Sequence, residues 1–178
     1  MEAKKLRIVY MGTPDFAVSP LAKLVEEGYN VVGVVTMPDK PSGRGLHVQQ
    51  SAVKRYALQA GLPVYQPEKL RDPAFVETFR SMRPDLGIVI AFRRLPEIIW
   101  AAPKLGTFNL HASLLPQYRG AAPINWALIN GETETGVTTF LLNREIDKGA
   151  VLCQTRMPIG PDDDAGTLHD RLMEAGTK

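Results

Sequence analysis

A chain of 178 residues with 44% hydrophobic and 22% charged residues can bury a substantial core, which excludes a disordered or fibrous protein. The formal net charge of +2 is too small to indicate a nucleic-acid partner by itself. Cys153 is the only cysteine, so an internal disulfide is excluded and a reducing, cytoplasmic location fits. No apolar run approaches the roughly 20 residues of a membrane span. With three histidines and no spaced ligand motif, the sequence predicts no metal site.

The beginning of the chain predicts a strand, a helix and a second strand. Residues 6–11 form an apolar run with Ile, Val and Tyr that is typical of a buried strand. Residues 16–27 carry apolar side chains at helical spacing, and Gly28 is a natural stop. Residues 31–35 are almost entirely apolar, which favours a parallel sheet covered on both faces. This order of elements is that of the doubly wound α/β folds.

The loop at Gly12 follows the first strand, and open α/β sheets hold their ligands at the carboxyl ends of strands. The loop contains one glycine instead of the G-x-G-x-x-G pattern, and the second strand does not end on an acidic residue in the expected place. We therefore predict a ligand-binding loop that is not a dinucleotide site.

Residues 37–50 predict a long loop, because two prolines and two glycines interrupt regular structure. The basic residues in this loop and just after it outnumber Asp39; they are Lys40, Arg44, Lys54 and Arg55. The loop is either a solvated, mobile segment or an arm for a phosphate-bearing substrate.

The remaining patterns predict one α/β domain over residues 1–178, with a mostly parallel twisted sheet and helices on both faces. Helices are expected at residues 51–60, 73–82 and 96–102, with Asp72 as the N-cap of the second. Strands are expected at residues 62–65, 85–91, 106–110 and 137–142. The last residues resemble a helix that has just ended or been cut, which suggests a fragment of a longer protein.

Asn109, His111 and Asp147 are candidate catalytic residues. Asn109 and His111 lie two positions apart at the end of a predicted strand, and Asp147 follows another strand. An asparagine amide can stabilise an oxyanion, a histidine can take a proton near neutral pH, and a carboxylate can orient that histidine. This set suits acyl or formyl transfer to an amine, which needs no serine or cysteine nucleophile. By residue type alone, however, all three are more often turn-forming or structural residues.

Five stretches of the chain form longer motifs. Three of them are NLHASLLPQYRGAAPINW at residues 109–126, GETETGVT at 131–138 and IDKG at 146–149. These three resemble the formyltransferase family that uses 10-formyltetrahydrofolate. MGTPDFAV at 11–18 and PDKPSGRG at 38–45 are similar to its methionyl-tRNA formyltransferase branch. The resemblance covers the whole chain and implies the N-terminal catalytic domain, with a Rossmann-like formyltransferase fold.

The resemblance implies transfer of a formyl group from 10-formyltetrahydrofolate to the α-amino group of methionyl initiator tRNA by a monomeric enzyme without a metal. In that reaction Asn109 binds the formyl oxygen, His111 assists proton transfer and stabilises the tetrahedral intermediate, and Asp147 positions them. The implied folate contacts are Ser113, Leu114, Leu115 and Pro116. The implied contacts to methionyl-tRNA are Gly12 and Phe16 at the methionyl group, with Lys40 and Arg44 at the tRNA acceptor end.

The chain departs from the family pattern at two places. Phe92, Arg93 and Arg94 stand where many relatives have a Tyr-Gly-Gln segment beside the pteridine, so different side-chain contacts are expected there. Lys148 stands where threonine is common after the aspartate, and little effect is expected. The family enzyme also has a C-terminal β-barrel domain that helps to hold tRNA. The present chain is expected to stop before that domain, to fold, and to bind tRNA weakly by itself.

Three alternative functions remain open from the sequence. The first is a related formyltransferase acting on glycinamide ribonucleotide or an amino-sugar nucleotide, which the Gly12 and Arg44 loops disfavour. The second is a hydrolase that releases formate from the folate. The third is a non-catalytic tRNA- or folate-binding module, which the presence of all three candidate catalytic residues disfavours.

Overall fold

The computed structural model describes residues 2–42 and 47–178, which divide into two compact units. One unit ends at Thr107 and the other runs from Phe108 to Lys178. The strands of the first unit are β1 (Ile8–Gly12), β2 (Val31–Val35), β3 (Lys40–Ser42), β4 (His47–Gln49), β5 (Val64–Tyr65) and β6 (Leu86–Ile90). Its helices are α1 (Val18–Glu26), α2 (Ala52–Gln59), α3 (Pro73–Ser81) and α4 (Glu97–Trp100).

The first unit is built on parallel strands, as the apolar runs predict. β1 pairs with β2 on one side and β6 on the other, and β5 pairs with β2. Tyr10 at the centre of β1 aligns with Val34 and Ile88. Every residue of β1 is buried, which is the expected state of a strand covered on both faces. The predicted cap of α3 is also confirmed, since the Asp72 carboxylate accepts a hydrogen bond from Ala74 N at 3.1 Å.

The loop after β1 is held tightly against its own strand. Tyr10 is fully buried, and its hydroxyl donates a hydrogen bond to the Ala17 carbonyl at 2.6 Å. Burial raises the pKa of the Tyr10 phenol, so this group stays a donor. A Cβ atom on Gly12 would lie 2.7 Å from the Ala17 Cβ and 2.9 Å from the Ile90 carbonyl oxygen. The loop conformation therefore requires glycine at position 12.

The prediction of a loop without regular structure at residues 37–50 is wrong in part. β3 and β4 pair as antiparallel strands, with Lys40 opposite Gln49 and Pro41 opposite Val48. A proline is compatible with such a two-stranded ribbon, because an edge position needs no donated N–H bond. Arg44 lies outside the described residues.

One of the basic residues predicted beside this loop is already paired. Lys54 Nζ donates a hydrogen bond to Asp39 Oδ2 at 2.5 Å, and Gln66 Nε2 donates to Asp39 Oδ1 at 2.7 Å. The hydrogen bonds from Lys54 and Gln66 lower the pKa of the Asp39 carboxyl. The positive charge of Lys54 is thus paired within the first unit. Fewer of the basic residues in and after the loop are therefore left for a phosphate-bearing substrate than the sequence suggests.

The second unit is built on antiparallel strands. Its elements are β7 (Thr107–His111), which begins at the boundary, α5 (Pro123–Ile129), β8 (Glu134–Leu141), β9 (Val151–Pro158) and α6 (Ala165–Thr177). β8 pairs with β7 on one side and β9 on the other. Leu168 and Leu172 of α6 are fully buried. Across residues 2–42 and 47–178, no helix has the length and apolar character needed to cross a bilayer.

Two aspartates at the start of α6 are expected to make the fold sensitive to acid. Gly160 N donates a hydrogen bond to Asp163 Oδ2 at 2.7 Å, and this bond lowers the pKa of the Asp163 carboxyl. Thr167 N donates to Asp164 Oδ1 at 2.8 Å and lowers the pKa of the Asp164 carboxyl in the same way. The stabilisation is present above the unfolded-state pKa of about 3.9 and is lost as the pH falls through the lower folded-state values. We expect the Tm to fall between pH 5 and pH 3, by a few degrees less in the Asp163→Asn/Asp164→Asn double variant than in the parent.

The control for this measurement is Asp162→Asn, because Asp162 is an exposed aspartate that directly precedes these two. Equal falls in Tm for the parent and the double variant, measured by circular dichroism, would contradict the assignment.

Candidate active site

Asn109 and His111 lie on the same side of β7, as the sequence predicts. In the β7–β8 pair Asn109 is opposite Phe140 and His111 is opposite Thr138. Leu110 between them is buried and approaches α6 so closely that a Cβ atom on Gly176 would lie 2.5 Å from Leu110 Cδ2. Because side chains alternate along a strand, this packing directs Asn109 and His111 to the other face.

The His111 imidazole is buried, with 9% of the residue exposed, and its two nitrogens have different partners. Nε2 lies 2.7 Å from the Tyr118 carbonyl oxygen. A carbonyl oxygen can only accept, so Nε2 carries the hydrogen and donates it. In the neutral ring Nδ1 then has a free lone pair. Nδ1 lies 3.9 Å from Asp147 Oδ2, which is too long for a hydrogen bond but close enough for an ion pair once the ring is protonated.

Asp147 lies in the turn between β8 and β9, where the sequence places it. Its backbone is left-handed, with φ of 50°, a conformation that aspartate and asparagine adopt more readily than most residues. Gly120 N donates to Asp147 Oδ2 at 2.8 Å, and Arg119 Nε donates to the Asp147 carbonyl at 3.0 Å. These two bonds connect the Asp147 turn to the segment after Tyr118, so the carboxylate is fixed on the side of His111 Nδ1.

The Asn109 side chain is half-buried and, among the residues that the structure describes, makes no hydrogen bond. Its amide therefore keeps two N–H donors and one acceptor for another molecule. An uncommitted amide on the face of β7 that carries His111 is suited to binding a substrate oxygen.

The segment of Ser113, Leu114, Leu115 and Pro116 is held against β8 and β9 by hydrogen bonds that are buried or partly buried. Thr138 Oγ1 donates to the Ser113 carbonyl at 2.7 Å and accepts from Leu115 N at 3.1 Å. Gln154 Nε2 donates to the Leu115 carbonyl at 2.8 Å. Thr138 and Gln154 were not predicted as part of the site, because strand residues of these types carry no local signal of such a role.

The predicted folate contacts differ in how accessible their side chains are. Ser113 is fully buried, and its hydroxyl donates to the Gln117 carbonyl at 2.7 Å. Leu115 is 8% exposed, Leu114 is half-buried, and Pro116 is exposed after a cis Leu115–Pro116 peptide bond. If this segment binds a folate, the contacts come from its backbone, Leu114 and Pro116, and not from the Ser113 hydroxyl.

The residues predicted to bind methionyl-tRNA belong to the first unit. Gly12 ends β1, Phe16 is buried with 7% exposure, and Lys40 begins the β3–β4 hairpin and is exposed. Beside Gly12, the Thr13 hydroxyl is buried and has no hydrogen-bond partner in the described part of the chain.

Arg93, which departs from the family pattern, is occupied within the first unit. Its guanidinium donates to the Glu68 carbonyl at 2.7 Å and also to the Pro67 carbonyl. Burial lowers the pKa of the Arg93 guanidinium. Arg93 thus stabilises the chain after β5 through backbone carbonyls. Within the described ranges, no cluster of three His, Cys, Asp or Glu residues could hold a metal ion.

Comparisons with known proteins agree with this fold. The sequence model described as formyl transferase matches residues 4–178. The methionyl-tRNA formyltransferase of Bacteroides thetaiotaomicron is 65% identical over 178 residues, which are 100% of this chain and 55% of the relative. That of Parabacteroides distasonis is 66% identical over 179 residues, with 100% and 55% covered. The chain therefore spans about half the length of these relatives.

Solved structures confirm the predicted Rossmann-like α/β formyltransferase fold. The phosphoribosylglycinamide formyltransferase of Streptococcus pneumoniae matches with a TM-score of 0.80 at 23% identity, covering 97% of this chain and 93% of that one. WlaRD, a sugar 3N-formyl transferase solved in the presence of dTDP and 5-N-formyl-THF, matches with a TM-score of 0.70 at 23% identity, covering 97% and 59%. At this level of identity the likeness concerns the fold alone.

Proposed function

Because the chain belongs to the formyl transferase family, whose model matches residues 4–178, we propose that it is the catalytic part of a methionyl-tRNA formyltransferase. The proposed reaction transfers the formyl group of 10-formyltetrahydrofolate to the α-amino group of methionyl initiator tRNA, for translation initiation in the cytoplasm. The relatives of that name, at 65% and 66% identity over the whole chain, support this substrate over glycinamide ribonucleotide.

The observation that carries the proposal is the arrangement around His111. One ring nitrogen is held by the Tyr118 carbonyl at 2.7 Å, and the other lies 3.9 Å from the Asp147 carboxylate. A histidine fixed in this way presents Nδ1 as a proton acceptor and has a carboxylate in place for the imidazolium that forms.

In the proposed reaction, the methionyl nitrogen forms a bond to the formyl carbon to give a tetrahedral intermediate, and the bond from that carbon to the folate nitrogen then breaks. The Asn109 amide donates a hydrogen bond to the formyl oxygen as negative charge develops on it. His111 Nδ1 takes the proton that the attacking amine loses and returns it to the departing folate nitrogen. Asp147 stabilises the imidazolium between these two steps, and no metal takes part.

The substrate-binding roles of the other predicted residues belong to the same proposal. The backbone of residues 113–116, Leu114 and Pro116 bind the folate; Gly12 and Phe16 bind the methionyl group; Lys40 and Arg44 contact the tRNA. The exposure of Pro116 and Lys40 supports their parts of the proposal.

The test is a formylation assay with 10-formyltetrahydrofolate and methionyl initiator tRNA. The chain is assayed alone and joined to the remaining part of the Bacteroides thetaiotaomicron relative, since that relative is nearly twice as long. Formyl-methionine released from the tRNA by mild base is the expected product of the joined protein. Formate without formyl-methionine would indicate the hydrolase instead, formylated glycinamide ribonucleotide the related transferase, and no product a binding module.

A further inference from the structure

Tyr118 contributes its carbonyl, and not its side chain, to His111. Its backbone is left-handed, with φ of 55°. A bulky aromatic residue is strained in this conformation, so other contacts must hold it there. The carbonyl accepts the His111 Nε2–H only while Tyr118 keeps this conformation, because rotation about φ and ψ would turn the carbonyl away from the ring.

The Tyr118 side chain reaches two residues that follow the C-terminal end of α5. Its hydroxyl donates a hydrogen bond to Glu132 Oε1 at 2.6 Å and accepts one from Asn130 Nδ2 at 2.9 Å. The hydrogen bond to Glu132 raises the pKa of the Tyr118 phenol, so the hydroxyl keeps its proton and remains a donor. The Tyr118 hydroxyl therefore both donates and accepts a hydrogen bond.

The two partners of Tyr118 are fixed by the C-terminal cap of α5. Gly131 has a left-handed backbone, with φ of 67°. Its N–H donates to the Leu128 carbonyl at 3.0 Å, and Glu132 N donates to the Ala127 carbonyl at 3.0 Å. These two bonds form a Schellman motif, so Asn130 and Glu132 flank a rigid turn. The cap thus provides a firm anchor for the Tyr118 hydroxyl.

We propose that Tyr118, Asn130 and Glu132 form a positioning network that holds the Tyr118 carbonyl on His111 and thereby keeps the hydrogen of the neutral imidazole on Nε2. The network acts through the backbone of Tyr118, and its three side chains are positioning groups, not catalytic residues. Its effect on catalysis rests on the proposed formyl transfer, whereas its effect on the histidine tautomer does not.

The first test measures the nitrogen chemical shifts of the neutral His111 ring by nuclear magnetic resonance. These shifts distinguish a protonated from a bare nitrogen, and three histidines make assignment practical. In the parent protein we expect the hydrogen on Nε2. In Tyr118→Phe we expect a mixture in which Nδ1–H is also populated, because the hydroxyl no longer holds the loop.

The second test is kinetic. We expect Tyr118→Phe and Glu132→Ala to lower kcat by about 3- to 10-fold with little change in KM, the loss for one or two weakened hydrogen bonds. Glu132→Gln keeps an acceptor for the Tyr118 hydroxyl and is expected to restore most of this loss. Glu134→Gln is the matched control, since Glu134 forms an exposed pair with Arg156 at 2.6 Å outside the network.

The outcomes separate the two proposals. A parental tautomer in folded Tyr118→Phe would overturn the positioning network, whatever the value of kcat. The same conclusion follows if Glu132→Gln is as impaired as Glu132→Ala. If Tyr118→Phe shifts the His111 tautomer but the parent protein shows no formylation, the positioning network is supported and the proposed function is refuted.

Discussion

Replacing Asp147 with asparagine is expected to lower kcat for formylation by about 10²- to 10⁴-fold and to leave the fold unchanged. The substitution removes the negative charge that faces His111 Nδ1 at 3.9 Å. The imidazolium formed during proton transfer then has no counter-ion, and the transition state that contains it rises in free energy. The effect on KM should be small, because the charge acts on the histidine and not on bound substrate.

Asparagine is the informative substitution because it keeps the geometry of the turn. Its side-chain oxygen can still accept the hydrogen bond that Gly120 N donates to Asp147 at 2.8 Å. Asparagine also tolerates the left-handed backbone at this position, where φ is 50°. A fall in kcat can therefore be assigned to the lost charge and not to a displaced loop.

Asp162→Asn is the control for this prediction, since it removes an exposed carboxylate from a different turn of the same unit. It should keep the parental kcat. Single-turnover formylation at saturating methionyl-tRNA and folate gives the rate of the chemical step directly. If Asp147→Asn retained at least a third of the parental rate, the assignment of Asp147 would be wrong.

The parts of the fold that could be predicted from the sequence are those with a buried face. Residues 31–35 were predicted as a strand and form β2 with the same bounds, because a run buried on both faces has a clear apolar signature. β9 was not predicted, since six of its eight residues are exposed and no alternation marks a buried face. The seven residues of α5 make about two turns, too few for a helical period to be recognised.

In the site, the important side chains could be predicted from the sequence, whereas the important backbone groups could not. The sequence predicts that Asn109, His111 and Asp147 meet at strand ends, and the structure places His111 and Asp147 together; their catalytic roles stay predictions. The Tyr118 carbonyl and Gly120 N–H were missed, because every residue has such groups and their direction depends on backbone angles that sequence patterns do not specify. The buried direction of the Ser113 hydroxyl escaped prediction for a related reason.

Replacing Gly149 with alanine is expected to destabilise the second unit by about 1–3 kcal/mol and to lower kcat by at least tenfold. A Cβ atom at position 149 would lie 1.4 Å from the Leu141 carbonyl oxygen, so the backbone itself must move. The movement falls at the junction of β8 and β9, where Leu141 N donates to the Ala150 carbonyl at 2.9 Å. Because Asp147 lies two residues before Gly149, the movement also shifts its carboxylate away from His111.

Gly160→Ala is the matched control, since a Cβ atom there would have its nearest neighbour at 3.4 Å, an ordinary contact. Thermal unfolding followed by circular dichroism should show a lower Tm for Gly149→Ala and a parental or slightly higher Tm for Gly160→Ala. The kcat of Gly149→Ala should remain low at temperatures where the variant is fully folded, because the displaced turn, and not unfolding, limits the reaction. A parental Tm and kcat would mean that the β8–β9 turn can relax without disturbing Asp147. The rigidity of this turn would then not contribute to the placement of the carboxylate.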